Sequence, residues 1–273
     1  MTTMSPIRGG VLHLPTSHEG RYSQSLERGL AILRAFTPER PWMGIAEIAE
    51  ALEMSRPTTH RYASTLVALN YLEQGAGRKY RLGMRAGDPG RSAVGSTSLR
   101  NLPHQLLADL RDTSTCTASI AVLHGRDIVY IDRARSAWQG QSEVAARLGR
   151  GSRLPARDTA MGRVLLAALP QEKLREAVEA GSSPGGEGEV STDKLVVELK
   201  RVGEKGFAIA DQLHVKGQLC VAAPIRSRSG EVIAAVDVAA LKSRFSRSQT
   251  REKLVPRVVK SATEMSTQLG FVS

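Results

Sequence analysis

Apolar residues recur along this chain with two periods, and the switches between them mark out its elements. From Gln24 to Phe36, residues Leu26, Leu30, Leu33 and Phe36 are spaced three and four apart, which predicts an amphipathic helix. Thr37-Pro38-Glu39-Arg40-Pro41 ends it, because proline disfavours helix in the residue before it. Ile45, Ile48, Ala49 and Leu52 repeat the spacing and give a second helix with one buried face. After the turn Glu53-Met54, Ser55 is a good N-cap for a third helix, Arg56 to Leu69. Pro57 fits its first turn, where the missing amide has no intrahelical partner. On this helix Tyr62, Leu66 and Leu69 share a stripe, with Arg56, His60, Arg61 and Ser64 on or near the opposite one. Two short alternating runs, Tyr71-Leu72-Glu73 and Arg78 to Leu82, then flank Gln74-Gly75-Ala76-Gly77 and predict a β-hairpin with a basic tip.

Residues 83–100 shift toward Gly, Ser and Arg, and Pro89-Gly90 in their middle argues against a smooth helix there. Beyond them the period alternates. A helix from Leu102 to Thr113 buries Leu102, Leu106, Leu107 and Leu110, and Cys116 to Leu123 and Asp127 to Asp132 form a hairpin about His124-Gly125. A third strand-like run spans Ser142 to Leu148, and Thr159 to Leu169 is a largely buried helix stopped by Pro170. Gly181 to Gly188 reads as a flexible loop, and residues 192–205 as an amphipathic helix through Leu195, Val196, Leu199 and Val202. Strands follow at Phe207 to Asp211, Leu219 to Ile225 and Val232 to Val238, and Ser248 to Leu269 closes the chain as a helix. The fold class is therefore α+β: a winged helix-turn-helix, then an antiparallel sheet flanked by helices. The domains expected are a disordered arm (1–21), a winged helix-turn-helix (22–82), a linker (83–100) and an effector-binding and oligomerisation domain (101–273).

Composition narrows the class. The net charge of +11 suits a polyanionic partner, but 13 basic against 8 acidic side chains in residues 1–100 and 25 against 19 in the rest spread it over the chain. No apolar run approaches the roughly 20 residues of a membrane span, and the first twenty residues lack the order of a signal peptide, so a cytoplasmic protein without a membrane partner is expected. Two cysteines, Cys116 and Cys220, exclude a disulfide framework and a multi-cysteine metal site, and no metal or cofactor is expected. Guanidinium forks and hydroxyls are the groups that meet phosphates and base edges of double-stranded DNA. The DNA-binding candidates are accordingly Ser55, Arg56, Thr58, Thr59, His60, Arg61 and Ser64 on the third helix, with Arg78 and Lys79 at the hairpin tip. A solvated surface face is the alternative for each of these groups.

Over residues 22–270 the chain resembles the IclR family of bacterial transcription factors. The resemblance is carried by Gln24 to Leu30, by Ser55 to Gln74 with Thr58-Thr59-His60-Arg61, and by Leu154-Pro155-Ala156 followed by Thr159 to Ala167. The runs Thr65 to Gln74 and Gly77 to Gly83 look like the branch that regulates aromatic-acid (protocatechuate, β-ketoadipate) catabolism. The resemblance implies a homodimer or dimer of dimers, repressor or activator, that binds a pseudo-palindromic operator, and a GAF-like carboxy-terminal domain that binds a small-molecule effector. It places Ala160 and Met161 at the start of the pocket helix, Asp211 on the strand before Gly217 to Cys220, and Cys220 at a pocket cysteine or serine. Asp237 and Ala239 stand where many members have two serines, a departure that puts a serine cradle for a carboxylate in question. Arg147, Arg150, Arg153 and Arg157 offer cations that either pair with a carboxylate effector or decorate the surface.

Two other functions remain open on the sequence. One is a constitutive or protein-regulated transcription factor with a vestigial pocket. The other is a thiol enzyme with Cys220 as nucleophile, although no spacing couples any of the six histidines to it.

Overall fold

The computed structural model describes residues 22–37, 40–90, 104–137, 148–179, 192–211 and 217–272. The expected arm at 1–21, residues 91–100 of the linker, the run at 142–147 with its Arg147, and the loop at 181–188 lie outside the described residues. The chain divides between Arg91 and Ser92 into two compact units.

In the first unit α1 (Gln24–Ala35), α2 (Ile45–Ala51) and α3 (Arg56–Ala68) pack around Ile32, Phe36, Met43, Ile48, Ala63, Leu72 and Tyr80. Strand β1 (Met43–Gly44), which no periodicity announced, joins β2 (Leu72–Gln74) and β3 (Lys79–Leu82) in a sheet of order β1-β3-β2. The two expected faces are buried in part: Leu33 and Phe36 of the first stripe and Tyr62 and Leu66 of the second pack on the core. Leu26 and Leu30 are 64% and 53% exposed and Leu69 is half exposed, and the fully buried positions are Ile32 on α1 and Thr59 and Ala63 on α3. Tyr62 stays at the margin, where its hydroxyl donates to Ser25 Oγ on α1 at 3.1 Å.

The first residues of the linker correct another expectation. Met84–Gly87 form a 3-10 turn, and residues 88–90 are α-helical through Pro89 and Gly90. Pro89 lies in the first turn of that helix, where it removes no intrahelical hydrogen bond.

Among the described residues the second unit holds a six-stranded antiparallel sheet of order β6-β5-β4-β9-β8-β7. Its strands are β4 (Thr117–His124), β5 (Asp127–Ala134), β6 (Arg153–Pro155), β7 (Ala208–Asp211), β8 (Gln218–Arg226) and β9 (Val232–Leu241). Helix α4 (His104–Ser114) and the terminal helix α8 (Val255–Gln268), the latter entered through a π-helical turn at Thr250–Leu254, cover one face. Helices α5 (Ala160–Ala167), α6 (Gln171–Glu179) and α7 (Thr192–Lys205) cover the other. Alternation in the central strands sends Ala118, Ile120, Val221, Ala223, Val236 and Val238 to the first face. Ala121, Ala208, Ala210, Ala222 and Ala235 go to the second. The second face thus carries many alanine methyls, on which α5 packs.

Candidate functional site

The first candidate surface is built by the start of α3. Ser55 caps the helix: its Oγ accepts from the Thr58 amide at 3.4 Å and donates to Thr58 Oγ1 at 2.8 Å. Thr59, expected on the binding face, is instead fully buried, and its hydroxyl donates to the Ser55 carbonyl at 3.0 Å. It fixes the angle of the helix from inside. Arg56, His60, Arg61 and Ser64 are exposed on one side of α3 and Thr58 is partly exposed beside them. Arg61 lies 5.7 Å from the Tyr62 ring centroid.

The hairpin tip Ala76-Gly77-Arg78-Lys79 carries exposed Arg78 and Lys79. Gly77 and Arg78 have φ of 69° and 57°, the left-handed region, and the Gly75 amide donates to the Lys79 carbonyl at 2.8 Å. Below the tip Arg81 pairs with Glu73 at 2.6 Å and lies 5.0 Å from the Trp42 ring, so the wing is held on both sides. A convex helix with cations and hydroxyls beside a basic hairpin has the shape that enters a major groove and touches the flanking backbone.

The second candidate is a cavity in the carboxy-terminal unit, between the second face of the sheet and the start of α5. About 490 Å³ of empty space, its open mouth included, lies among side chains that include Ser119, Tyr130, Arg133, Leu154, Thr159, Ala160, Gln218, Cys220, Asp237 and Ala239. The sheet register puts the polar ones in a row. Arg133 on β5 pairs with Ser119 on β4, and Ser119 pairs with Asp237 on β9. In the next row Ala239 pairs with Cys220 on β8, which pairs with Ala210 on β7.

Asp237 is 4% exposed, and its Oδ1 has no hydrogen-bond partner among the described residues. Burial pushes its carboxyl up to about 7, against the pull of Arg133 and of hydrogen bonds from Ser119. Burial and then Asp237 raise the Tyr130 phenol and the Cys220 thiol as well. A thiol held protonated in this way is the opposite of an activated nucleophile. Arg133 Nη1 donates to the Leu148 carbonyl at 2.8 Å, and its guanidinium lies 5.2 Å from the Tyr130 ring centroid.

The start of α5 is fixed by its own residues. Thr159 caps it, Oγ1 accepting from the Gly162 amide at 3.0 Å. At Gly162 any Cβ would stand 2.0 Å from the Ala156 carbonyl oxygen, so only glycine lets α5 lie against the turn Ala156–Asp158. Arg163, buried, pairs with Glu198 on α7 and donates through Nε to the Arg157 carbonyl at 3.1 Å.

Of the six expected effector residues, Ala160, Cys220, Asp237 and Ala239 line this cavity. Met161 is the next residue on α5 but points into the apolar core, and Asp211 is exposed at the end of β7, paired with Lys242 at 2.9 Å. The described members of the arginine run, Arg150, Arg153 and Arg157, are not among the residues that line the cavity. Arg150 pairs with Asp132 at 2.7 Å while 70% exposed, Arg153 is exposed beside His124, and Arg157 is buried under α5.

Among the described residues the cation of the cavity is Arg133, which sequence parity hides. Tyr130 and Arg133 are three apart and belong on opposite faces of a regular strand. Ile120 pairs with Asp132 and Ala121 with Tyr130, however, so Ile131 is an extra residue that turns Arg133 onto the face of Tyr130. Among the described residues no cluster of His, Cys, Asp and Glu could hold a metal ion, and no helix is long and apolar enough to cross a membrane.

Two family models match the chain: the IclR helix-turn-helix domain over residues 25–76 and the bacterial transcriptional regulator IclR C-terminal domain over residues 91–267. The Pca regulon regulatory protein of Pseudomonas putida is 30% identical over 250 residues, 91% of this chain and 84% of that protein. A crystal structure from Rhodococcus sp. RHA1, described as that of a transcriptional regulator, is 32% identical with a TM-score of 0.76, over 91% of this chain and 98% of that one. An IclR homologue from Microbacterium hydrocarbonoxydans, crystallised with 4-hydroxybenzoate, shares the fold at 23% identity and a TM-score of 0.76, over 90% and 98% of the two chains.

Proposed function

This chain belongs to the IclR family of bacterial transcriptional regulators, and on that premise we propose a homodimer or dimer of dimers whose paired α3 helices bind a pseudo-palindromic operator under the control of an organic carboxylate. It is a DNA-binding regulator of transcription with a carboxy-terminal effector domain. The effector class rests on Arg133. Its guanidinium stands at the wall of a cavity that Leu148, Leu154, Ala160, Ala210 and Ala239 also line, which suits an anion with an apolar part. Aromatic acids are the first class to try, with 4-hydroxybenzoate as the first probe.

On the DNA side Arg56, Thr58, His60, Arg61 and Ser64 are the reading residues, Ser55 positions them, and Arg78 and Lys79 hold the flanking backbone. A short α3 that offers mainly cations and hydroxyls favours a symmetric pair, since two half-sites are what make such a reader selective. The protein acts in the cytoplasm, where the chromosome lies.

The test begins with selection of a binding site from a random duplex library, followed by gel shifts with the selected duplex. Affinity is expected to fall steeply with salt, and Arg61→Ala and Lys79→Ala each to lower the salt slope by about one. Aromatic acids are expected to change the affinity of the wild type and to lose that effect in Arg133→Met. Binding that is indifferent to salt and to Arg61 would sink the DNA reading, and an acid effect unaltered in Arg133→Met would sink the effector reading.

A further inference from the structure

We infer that Asp237 selects among carboxylate effectors for those that carry a second, donating group, a hydroxyl or an amine, which its Oδ1 accepts while Arg133 holds the carboxylate. This inference rests on the carboxylate reading given above. An acceptor buried inside a protein without a partner is rare, because a lost hydrogen bond is not replaced by water there. Asp237 Oδ1 is such an atom, and it belongs to a side chain that lines the cavity. Ser119, whose hydrogen bonds go to the same carboxylate, stands between it and Arg133 in the sheet. Two strand spacings separate the backbones of Arg133 and Asp237, roughly 10 Å. Both side chains enter the cavity, so a compact ligand meets a fixed cation at one place and a fixed acceptor at another.

The other carboxylate in the lining, Asp158, is partly exposed, whereas Asp237 is buried. Tyr130 on β5 and Cys220 on β8 are both raised and stay protonated near neutral pH, and Asp158 lines the side near α5. A ligand donor satisfies the orphaned oxygen, whereas a plain carboxylate leaves it unsatisfied and adds a like charge nearby. Discrimination of this kind exceeds what an apolar wall achieves, because the wrong ligand strands a buried polar atom.

The experiment is isothermal titration of the full-length protein with benzoate, its three hydroxy isomers and 4-aminobenzoate. The wild type is expected to bind at least one substituted acid about tenfold or more tighter than benzoate. In Asp237→Ser that preference disappears, and benzoate binds more tightly than in the wild type because the like charge is gone. Asp237→Asn, which keeps the shape and removes the charge, guards against a folding defect and is expected to lose the pH dependence of the preference. In the wild type the preference shrinks as pH falls through about 7. If benzoate and the substituted acids bind equally, or the preference survives in Asp237→Ser, the selection by Asp237 is overturned and the carboxylate reading stands. Weaker benzoate binding in Asp237→Ser, with benzoate tighter at low pH in the wild type, also overturns it, by showing a protonated Asp237 that donates to the carboxylate. If none of the acids binds, the carboxylate reading falls and this inference with it.

Discussion

Asp237 is the residue at which stability and function pull apart. Its carboxyl, near 3.9 in an unfolded chain, is pushed up to about 7 by burial, so between those values the folded protein holds a proton that the unfolded chain has released. The stability this lends is complete below about pH 4 and is lost as pH rises through 7, by roughly 4 kcal/mol in order of magnitude. Asp237→Asn removes the ionisation. The variant is therefore expected to gain stability over the wild type progressively from pH 4 to 7, with no further gain above. Urea unfolding at pH 4.5, 6 and 7.5 checks this, and a gap that stays constant with pH would mean that the carboxyl is solvated. A protein that keeps so costly a group at the wall of a cavity is consistent with its use by a ligand. Thr59 makes the complementary point at the DNA-binding end: a hydroxyl in a row of candidate contacts serves the helix, because its partner is a carbonyl of its own chain.

At the scale of the element, the starts of two helices do most of the positioning. Ser55 and Thr159 each cap a helix that presents functional groups in its first turn, α3 toward solvent and α5 toward the cavity. For α5 the approach to the turn Ala156–Asp158 depends on Gly162, where a methyl group would overlap backbone that has nowhere to go. Gly162→Ala is expected to destabilise the protein by roughly 2 kcal/mol or more, because relief requires moving the helix. It is also expected to weaken effector binding, since Thr159 and Ala160 move with the helix. Thermal unfolding and titration check the two effects, and an unchanged melting temperature would contradict the close approach.

At the scale of the whole molecule, α1 carries the clearest sign of assembly. Tyr22, Leu26 and Leu30 are half exposed or more, although their spacing is that of a buried stripe. The homodimer proposed above would bury this face. Leu26→Lys with Leu30→Lys is expected to leave the fold intact, because neither side chain fills the core, and to shift the protein toward monomer in sedimentation experiments with weaker operator binding. A double variant that sediments as the wild type would place the dimer contact elsewhere. The charge of +11 does not locate either site, since both units share it.

The periods of the chain were enough to give the helix-turn-helix, the hairpin wing, β4, β5, β7, β8 and β9 of the second unit and the helix at 192–205, because each is a local alternation of apolar and polar residues; β6 was not among them. The motif around Thr159 and Gly162 likewise located α5, and with it Ala160 at the cavity. Neighbours in space decided the rest. Which residues of α1 and α3 are fully buried follows from the elements packed on them, so Ile32, Thr59 and Ala63 lie deeper than Leu26, Leu30 and Leu69. Pro89 stood inside a helix because the preceding 3-10 turn made it a first-turn residue. Among the described residues the cation of the cavity is Arg133, and not Arg150, Arg153 or Arg157, because one extra residue at Ile131 reverses the faces of β5, and a bulge exists only in the pairing of two strands. The sequence by itself determined the longer helices and strands and the family they build. Only the tertiary structure decided which side chains of those elements meet, since a side chain's face is set by its partners across the sheet and the core.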